Sequence, residues 1–271
     1  SLSSDGGTVA IGAHRNNGNG NGSGHVRIYE NNGGSWTQIG QDIDGASSSN
    51  SGMSVSLNAD GNTVAIGAPN NSSNGNIYNG HVRIFENIGG SWSQIGNDIE
   101  GGGDWDNSGL SVSLSSDGNT VAIGAPSNVG QGGNGCYVHI YKNIGGSWSQ
   151  IGGDIVGEAA GDQSGHSVSL SSDGNTVAIG APSGNYGGYV RVYNIPLLTN
   201  AGGCDSTAIL NLTITNTNTS TTSITSCDSY TWNGITYTTS GTYSYGGTNN
   251  NYSMSFDGVD DYINCGNANE F

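Results

Sequence analysis

Positive charge is scarce in this sequence. Only 5 Lys and Arg stand against 21 Asp and Glu, a formal net charge of −16, so phosphate backbones are repelled and no basic stripe exists to attract them. Nucleic acid is excluded as a partner on that ground. Long apolar runs are missing too: none reaches 18 residues, and no membrane insertion is expected. The four Cys, at 136, 204, 227 and 265, include no C-x-x-C pair and no nearby His at ligand spacing. That argues against zinc and in favour of a disulfide or two in an oxidising compartment. Charged residues amount to 10% of the chain, a composition remote from helical bundles. Catalytic signatures are lacking as well. With no G-x-S-x-G elbow, no H-E-x-x-H and no His placed uniquely enough to act as a base, the chain is not expected to be an enzyme.

What is abundant is Gly, 49 of 271 residues, together with Ser, Thr and Asn, as in short strands joined by many turns. Val, Ile, Tyr and Trp recur at fixed spacing rather than being diluted out, which separates the chain from disordered sequences. The run SVSLSSDGNTVAIGAP at 111–126 returns unchanged at 167–182 and nearly so at 54–69. Aligning the Asp-Gly pairs at 5–6, 60–61, 117–118 and 173–174 gives spacings of 55, 57 and 56, and Trp36, Trp92 and Trp148 are 56 apart.

Each unit reads as four strands. Ser-Val-Ser-Leu (111–114) alternates polar and apolar residues and turns through Asp-Gly into Thr-Val-Ala-Ile-Gly (120–124). A loop rich in Asn and Gly leads to a third strand such as 81–85. A Gly-Gly turn then opens the fourth, from Trp92 through Gly96 and on to Asp98-Ile99. Four strands per repeat mark a propeller blade, and a sheet that small buries its faces only by stacking on its copies. About 3.5 such units occupy 1–195. The first lacks its opening strand and the fourth stops after Tyr193, so the sequence is expected to be a segment of something longer.

Two patterns within the units are candidate sites. His25 and His81 share one repeat position, taken later by Tyr137 and Tyr189, and Arg27, Arg83, His139 and Arg191 share another two residues on. Alternation with Val and Ile puts all of them on one strand face, where they either stack between blades or form a ligand-binding ring of His25, His81, Arg27, Arg83 and Arg191 for an acidic ligand. Acids gather in the loops after the fourth strand: Asp42 and Asp44, Asp98 and Glu100, Asp104 and Asp106. With loop carbonyls these could chelate calcium.

The Ser-Gly-x-Ser-Val-Ser-Leu…Asp-Gly-Asn-Thr-Val-Ala-Ile-Gly-Ala-Pro run resembles the FG-GAP repeat of integrin-α-type propellers, in the form found in large bacterial surface proteins. The resemblance covers 1 to about 195 and implies an adhesive role. That family's calcium loop carries several acids, whereas a single Asp precedes each Gly here, too few for the six to eight oxygens calcium takes. The calcium site is therefore not carried over to Asp60, Asp117 or Asp173.

Beyond the repeats, alternation at Leu210, Leu212 and Ile214 reads as a half-buried strand, and Asn233-Gly234 sits between two short strands as a hairpin turn. The segments around Gly203-Cys-Asp-Ser and Cys227-Asp-Ser-Tyr resemble halves of an immunoglobulin-like adhesin repeat, spanning 196–248 as a small β-sandwich-like segment. In that family Cys204 and Cys227 would belong to neighbouring repeats, so a bridge between them stays open. The last residues, 249–271, resemble the start of a laminin-G-like or concanavalin-like domain.

The expected protein is thus all-β, with four-stranded blades of a partial propeller followed by the Ig-like segment. Its expected role is non-enzymatic adhesion outside the cell or on its surface, through the variable loops. The expected partners are a polysaccharide, a matrix protein or a cell-surface protein. The alternative is a structural spacer or a self-assembling filament subunit.

Overall fold

In the computed structural model the described residues are 1–128, 135–159, 161–183 and 187–195, with five short strands beyond residue 220. They contain strands and no helix. The chain divides into two units, Ser1–Ile195 and Pro196–Phe271.

The first unit is a row of blades. Blade 1 holds β1 (Thr8–Gly12), β2 (His25–Asn32), β3 (Ser35–Gln38) and β4 (Ile43–Asp44). Blade 2 holds β5 (Ser54–Leu57), β6 (Thr63–Ala68), β7 (His81–Ile88), β8 (Ser91–Gln94) and β9 (Ile99–Glu100). Blade 3 repeats that plan with β10 (Ser111–Leu114), β11 (Thr120–Asn128), β12 (Gly135–Ile144), β13 (Ser147–Gln150) and β14 (Ile155–Val156). Blade 4 shows β15 (Ser167–Leu170), β16 (Thr176–Ala181) and β17 (Tyr189–Asn194). Within each blade neighbouring strands run antiparallel.

The Asp-Gly turns form for a local reason. Asp117 Oδ1 accepts the Asn119 N–H at 3.0 Å and the Ser115 hydroxyl at 2.5 Å, and Gly118 takes φ +74° at no steric cost. The single Asp of each repeat is thereby occupied in its own turn. The expected continuous fourth strand, however, is broken. Gly96 adopts φ +68°, Gln94 Nε2 reaches across the bend to Asp98 Oδ1 at 2.7 Å, and the halves β8 and β9 pair separately with opposite ends of β7.

Alternation along the strands gives every blade two apolar faces, and each interface uses one of each. Ala10, Val26, Ile28 and Ile43 of blade 1 pack on Val64, Ile66, Phe85 and Trp92 of blade 2. Their repeat equivalents Val82, Ile84 and Ile99 of blade 2 meet Val121, Ile123 and Trp148 of blade 3, and Val138 and Ile140 meet Val177 and Ile179 of blade 4. The Val and Ile side chains at the centre of these layers are less than 2% exposed, each contributing roughly 1.5–3 kcal/mol by burial. At the two ends of the row the same faces are open: Ile11 and Trp36 are exposed on blade 1, Val190 and Val192 on blade 4. Stacked, mutually similar four-stranded blades define the fold as propeller-type.

In the second unit β18 (Thr221–Ser223), β21 (Thr242–Gly246) and β22 (Asn251–Ser255) form one sheet in the order β18-β22-β21. The strands expected on either side of Asn233-Gly234, β19 (Tyr230–Trp232) and β20 (Ile235–Tyr237), pair antiparallel. The strand expected at 210–214, Cys204, Cys227 and the segment 256–271 lie outside the described residues.

Candidate functional site

The third strand and the acids after the fourth meet because β2 and β4, and likewise β7 and β9, are paired: His25 stands opposite Asp44, and His81 opposite Glu100. The repeats then resolve the shared position differently. In blade 1 the Arg27 guanidinium grips Asp42 with two bonds, Nε to Oδ1 at 2.9 Å and Nη2 to Oδ2 at 2.7 Å. That pairing, helped by Gln38, holds the Asp42 carboxyl down to about 2. In blade 2 Arg83 turns away, donating from Nη2 to the Asp44 carbonyl of blade 1 at 2.8 Å and lying 5.4 Å from the Phe85 ring centre. Asp98 is left with Gln94 and with His81, whose Nδ1 lies 3.5 Å from Asp98 Oδ2.

His81 is 5% exposed, and neither ring nitrogen has a hydrogen-bond partner. Burial pushes its pKa below the ordinary value against the pull of Asp98. Glu100 is held from behind, its Oε2 accepting bonds from the Ser73 hydroxyl and from Asn79 Nδ2. The ligand atoms of His81, Asp98 and Glu100 all lie within 4.8 Å of one another.

In blade 3 the arginine position is His139, whose Nε2 lies 3.3 Å from Asp154 Oδ1 and whose pKa burial lowers. In blade 4 Arg191 pairs with Glu158, donates to the Tyr193 hydroxyl at 3.1 Å and sits over the Tyr189 ring. Arg27, Arg83 and Arg191 are therefore each engaged within their own blade or its neighbour.

The acids expected to form a calcium set separate in the same way. Asp104 Oδ1 accepts the Ile77 N–H at 2.7 Å. Asp106 is buried, accepts the Gly103 N–H on Oδ2 at 2.8 Å and leaves Oδ1 without a partner, and burial raises its pKa. Of the six, only Asp98 and Glu100 join a His in a cluster among the described residues. Cys136, the described cysteine, is a buried free thiol donating to the Pro126 carbonyl at 3.1 Å.

A second feature escaped sequence reasoning. Between blades 1 and 2, Gln41 Nε2 donates to the Trp92 carbonyl at 3.0 Å and bridges the two blades. The equivalent residue between blades 2 and 3 is Asn97, one methylene shorter, and among the described residues no such bond joins it to Trp148. A cleft of ≈190 Å³ opens there, with Asn97, Asp98, Ile99 and Glu100 on one wall and Tyr141, Ser147 and Trp148 on the other. The indole is fixed, Trp148 Nε1 donating to the Ile95 carbonyl at 3.1 Å. The one signal in the sequence was Gln41 becoming Asn97 five residues after the repeated Trp.

No family model and no curated protein matches the chain. Solved structures match it in fold. A protein of Bacteroides uniformis described as a 6-phosphogluconolactonase superposes with a TM-score of 0.50 at 12% identity, over 75% of this chain and 50% of its own. One of Bacteroides fragilis with the same description gives 0.50 at 13% identity over the same shares. A periplasmic gluconolactonase of Pseudomonas aeruginosa gives 0.46 at 16%, over 69% of this chain and 49% of its own. The chain thus spans about half the length of these proteins.

Such a likeness supports the all-β propeller fold and nothing finer. The expectation of an adhesion module, with its spacer or filament alternative, is corrected: the two structures that match at a TM-score of 0.50 are described as 6-phosphogluconolactonases, and nothing in the comparisons indicates adhesion. Because this fold also serves enzymes, it lends no weight to a non-enzymatic assignment. Among the described residues no helix is long and apolar enough to cross a membrane.

Proposed function

We propose that the Ser1–Ile195 unit binds a saccharide ring in the cleft between blades 2 and 3. The observation that carries this reading is the opening left where Asn97 replaces Gln41, walled by a fixed indole on one side and carboxylates and an amide on the other. An aromatic plane takes the C–H face of a sugar, while Asn97, Asp98, Ser147 and the Tyr141 hydroxyl offer hydrogen bonds to its hydroxyls. At ≈190 Å³ the cleft is smaller than the roughly 300–1,000 Å³ of drug-sized sites, so it takes one ring of a glycan rather than an extended segment. A polysaccharide is then the natural partner. An extracellular setting and the resemblances to FG-GAP, Ig-like and laminin-G-like modules belong to the same reading, supported by the Gly-Ala-Pro motifs and the acidic, Lys-poor composition.

The test is ligand-observed NMR of the 271-residue chain against a panel of methyl glycosides. Wild type should bind at least one, and Asn97→Gln, which rebuilds the bond that bridges the neighbouring seam, should weaken that binding tenfold or more without lowering the melting temperature. Equal binding by Asn97→Gln, or none by wild type to any glycoside, would refute the proposal.

A further inference from the structure

We propose that His81, Asp98 and Glu100 form a binding site for one divalent transition-metal ion of the zinc or manganese class. The site lies at the start of β7 where β9 pairs with it; it shares the Asp98 and Glu100 side chains with the wall of the cleft but rests on other evidence, the buried His81 and the geometry of the three ligands. Three observations converge. The donor set is one imidazole nitrogen and two carboxylates, all within 4.8 Å of one another. Ligands at roughly 2.0–2.2 Å from a common ion lie about 3.3–4.2 Å apart, so closure asks for a rotamer adjustment on the order of 1 Å, which the exposed Asp98 can supply.

The second observation is His81 itself. It is buried at 5% exposure with both ring nitrogens lacking a hydrogen-bond partner, whereas buried polar atoms are as a rule satisfied. An ion against one ring nitrogen supplies that nitrogen with the partner it lacks. The third is support around the ligands. Ser73 and Asn79 fix Glu100 through Oε2, leaving Oε1 for an ion, and Gln94 fixes Asp98 through Oδ1, leaving Oδ2. Outer partners that orient carboxylates in this way are what metal ligands require.

The first blade shows what closes such a site. It carries an equivalent donor set, His25, Asp42 and Asp44, with Asp44 in place of a Glu, but Arg27 occupies both oxygens of Asp42. In blade 2 the corresponding Arg83 donates to the Asp44 carbonyl instead. The donor chemistry selects the ion: an imidazole with two carboxylates suits zinc or manganese, while calcium takes six to eight oxygens that these residues do not supply.

Isothermal titration of the 271-residue chain with Zn²⁺, Mn²⁺ and Ca²⁺ tests the proposal. Zn²⁺ or Mn²⁺ should bind at one equivalent, at least tenfold more tightly than Ca²⁺, and X-ray absorption of the loaded protein should show one imidazole in the ion's shell. Glu100→Gln and His81→Gln should each weaken binding at least tenfold. Should His81→Gln fail to fold, Glu100→Gln, on a partly exposed residue, decides alone. His166→Gln, on an exposed histidine outside the cluster, should leave binding unchanged. Tight binding that survives Glu100→Gln, binding lost with His166→Gln, or no preference over Ca²⁺ would overturn the proposal.

Discussion

The junction between consecutive blades rests on a glycine that has no room for a side chain. Gly67 ends the Ala-Ile-Gly run of β6 where the Ser-Gly of the next repeat crosses it, and a Cβ there would lie 2.0 Å from Gly109 O and 2.3 Å from Ser54 Oγ. A Cβ added at Gly12 or Gly124 would stand at the same distance from Gly52 O or Gly165 O. In Gly67→Ala the Ser54 hydroxyl could rotate away only by giving up its 2.8 Å bond to Gly109 O. The Gly109 carbonyl cannot easily retreat, because its own N–H is held by Gly124 O at 3.1 Å. Separating these atoms to ordinary contact means moving backbone by more than an ångström, at a cost of roughly 3–5 kcal/mol.

The control is Gly89→Ala. Gly89 has φ +60° and nothing within 4 Å, so its substitution meets only the left-handed backbone penalty, about 1–2 kcal/mol. Both changes stiffen the unfolded chain equally, so their difference is the clash less the left-handed penalty, about 1–4 kcal/mol. For a unit of this size each kcal/mol moves the melting temperature by about 2–4 °C, and urea and thermal unfolding followed by circular dichroism should separate the two variants by at least about 2 °C. If Gly67→Ala unfolds no earlier than Gly89→Ala, the junction is not where the repeats are locked together.

The tryptophans of one repeat position should differ in cost. Trp92 is 4% exposed with its indole N–H on Ile39 O at 3.0 Å, whereas Trp36 is 47% exposed; Trp92→Ala should lose about 3–5 kcal/mol by urea denaturation and Trp36→Ala less than about 1. Asp106 carries a pKa raised by burial, so the folded state favours its protonated form. The gain from that proton is complete below the ordinary carboxyl value and is lost as pH rises through the folded one. Asp106→Asn should therefore match wild type below about pH 4 and exceed it by about 1 kcal/mol at pH 7, and a constant difference across that range would count against the buried charge. Arg27→Ala should free Asp42 and raise the bound Zn²⁺ or Mn²⁺ from one equivalent to two; an unchanged stoichiometry would show that Arg27 is not what closes blade 1.

The repeat was legible because its physics is local. Apolar alternation, Asp-Gly and Gly-Gly turns act within a dozen residues, and they placed the first three strands of blades 2 and 3. The break in the fourth strand was not legible, since Gly96 is as compatible with a strand end as with the bend that Gln94 and Asp98 stabilise. The candidate sites depend on choices that one residue's identity does not make. Arg27 and Arg83 are the same residue at the same repeat position, yet one grips a carboxylate in its own blade and the other a carbonyl in the preceding blade.

That divergence is informative because the scaffold is held constant. When copies share their strands, turns and core, a difference between equivalent positions is not forced by folding, and the differences here fall on the outer halves of blades 1 and 2. Gln41 bonds across a seam where Asn97 lines a cleft, and Arg27 closes a carboxylate that Arg83 releases. Both changes open something on blade 2 that blade 1 keeps shut, so a repeat protein of this kind carries its own control, and exchanging residues 41 and 97, or transplanting the blade 1 seam into blade 2, tests site against scaffold within a single chain.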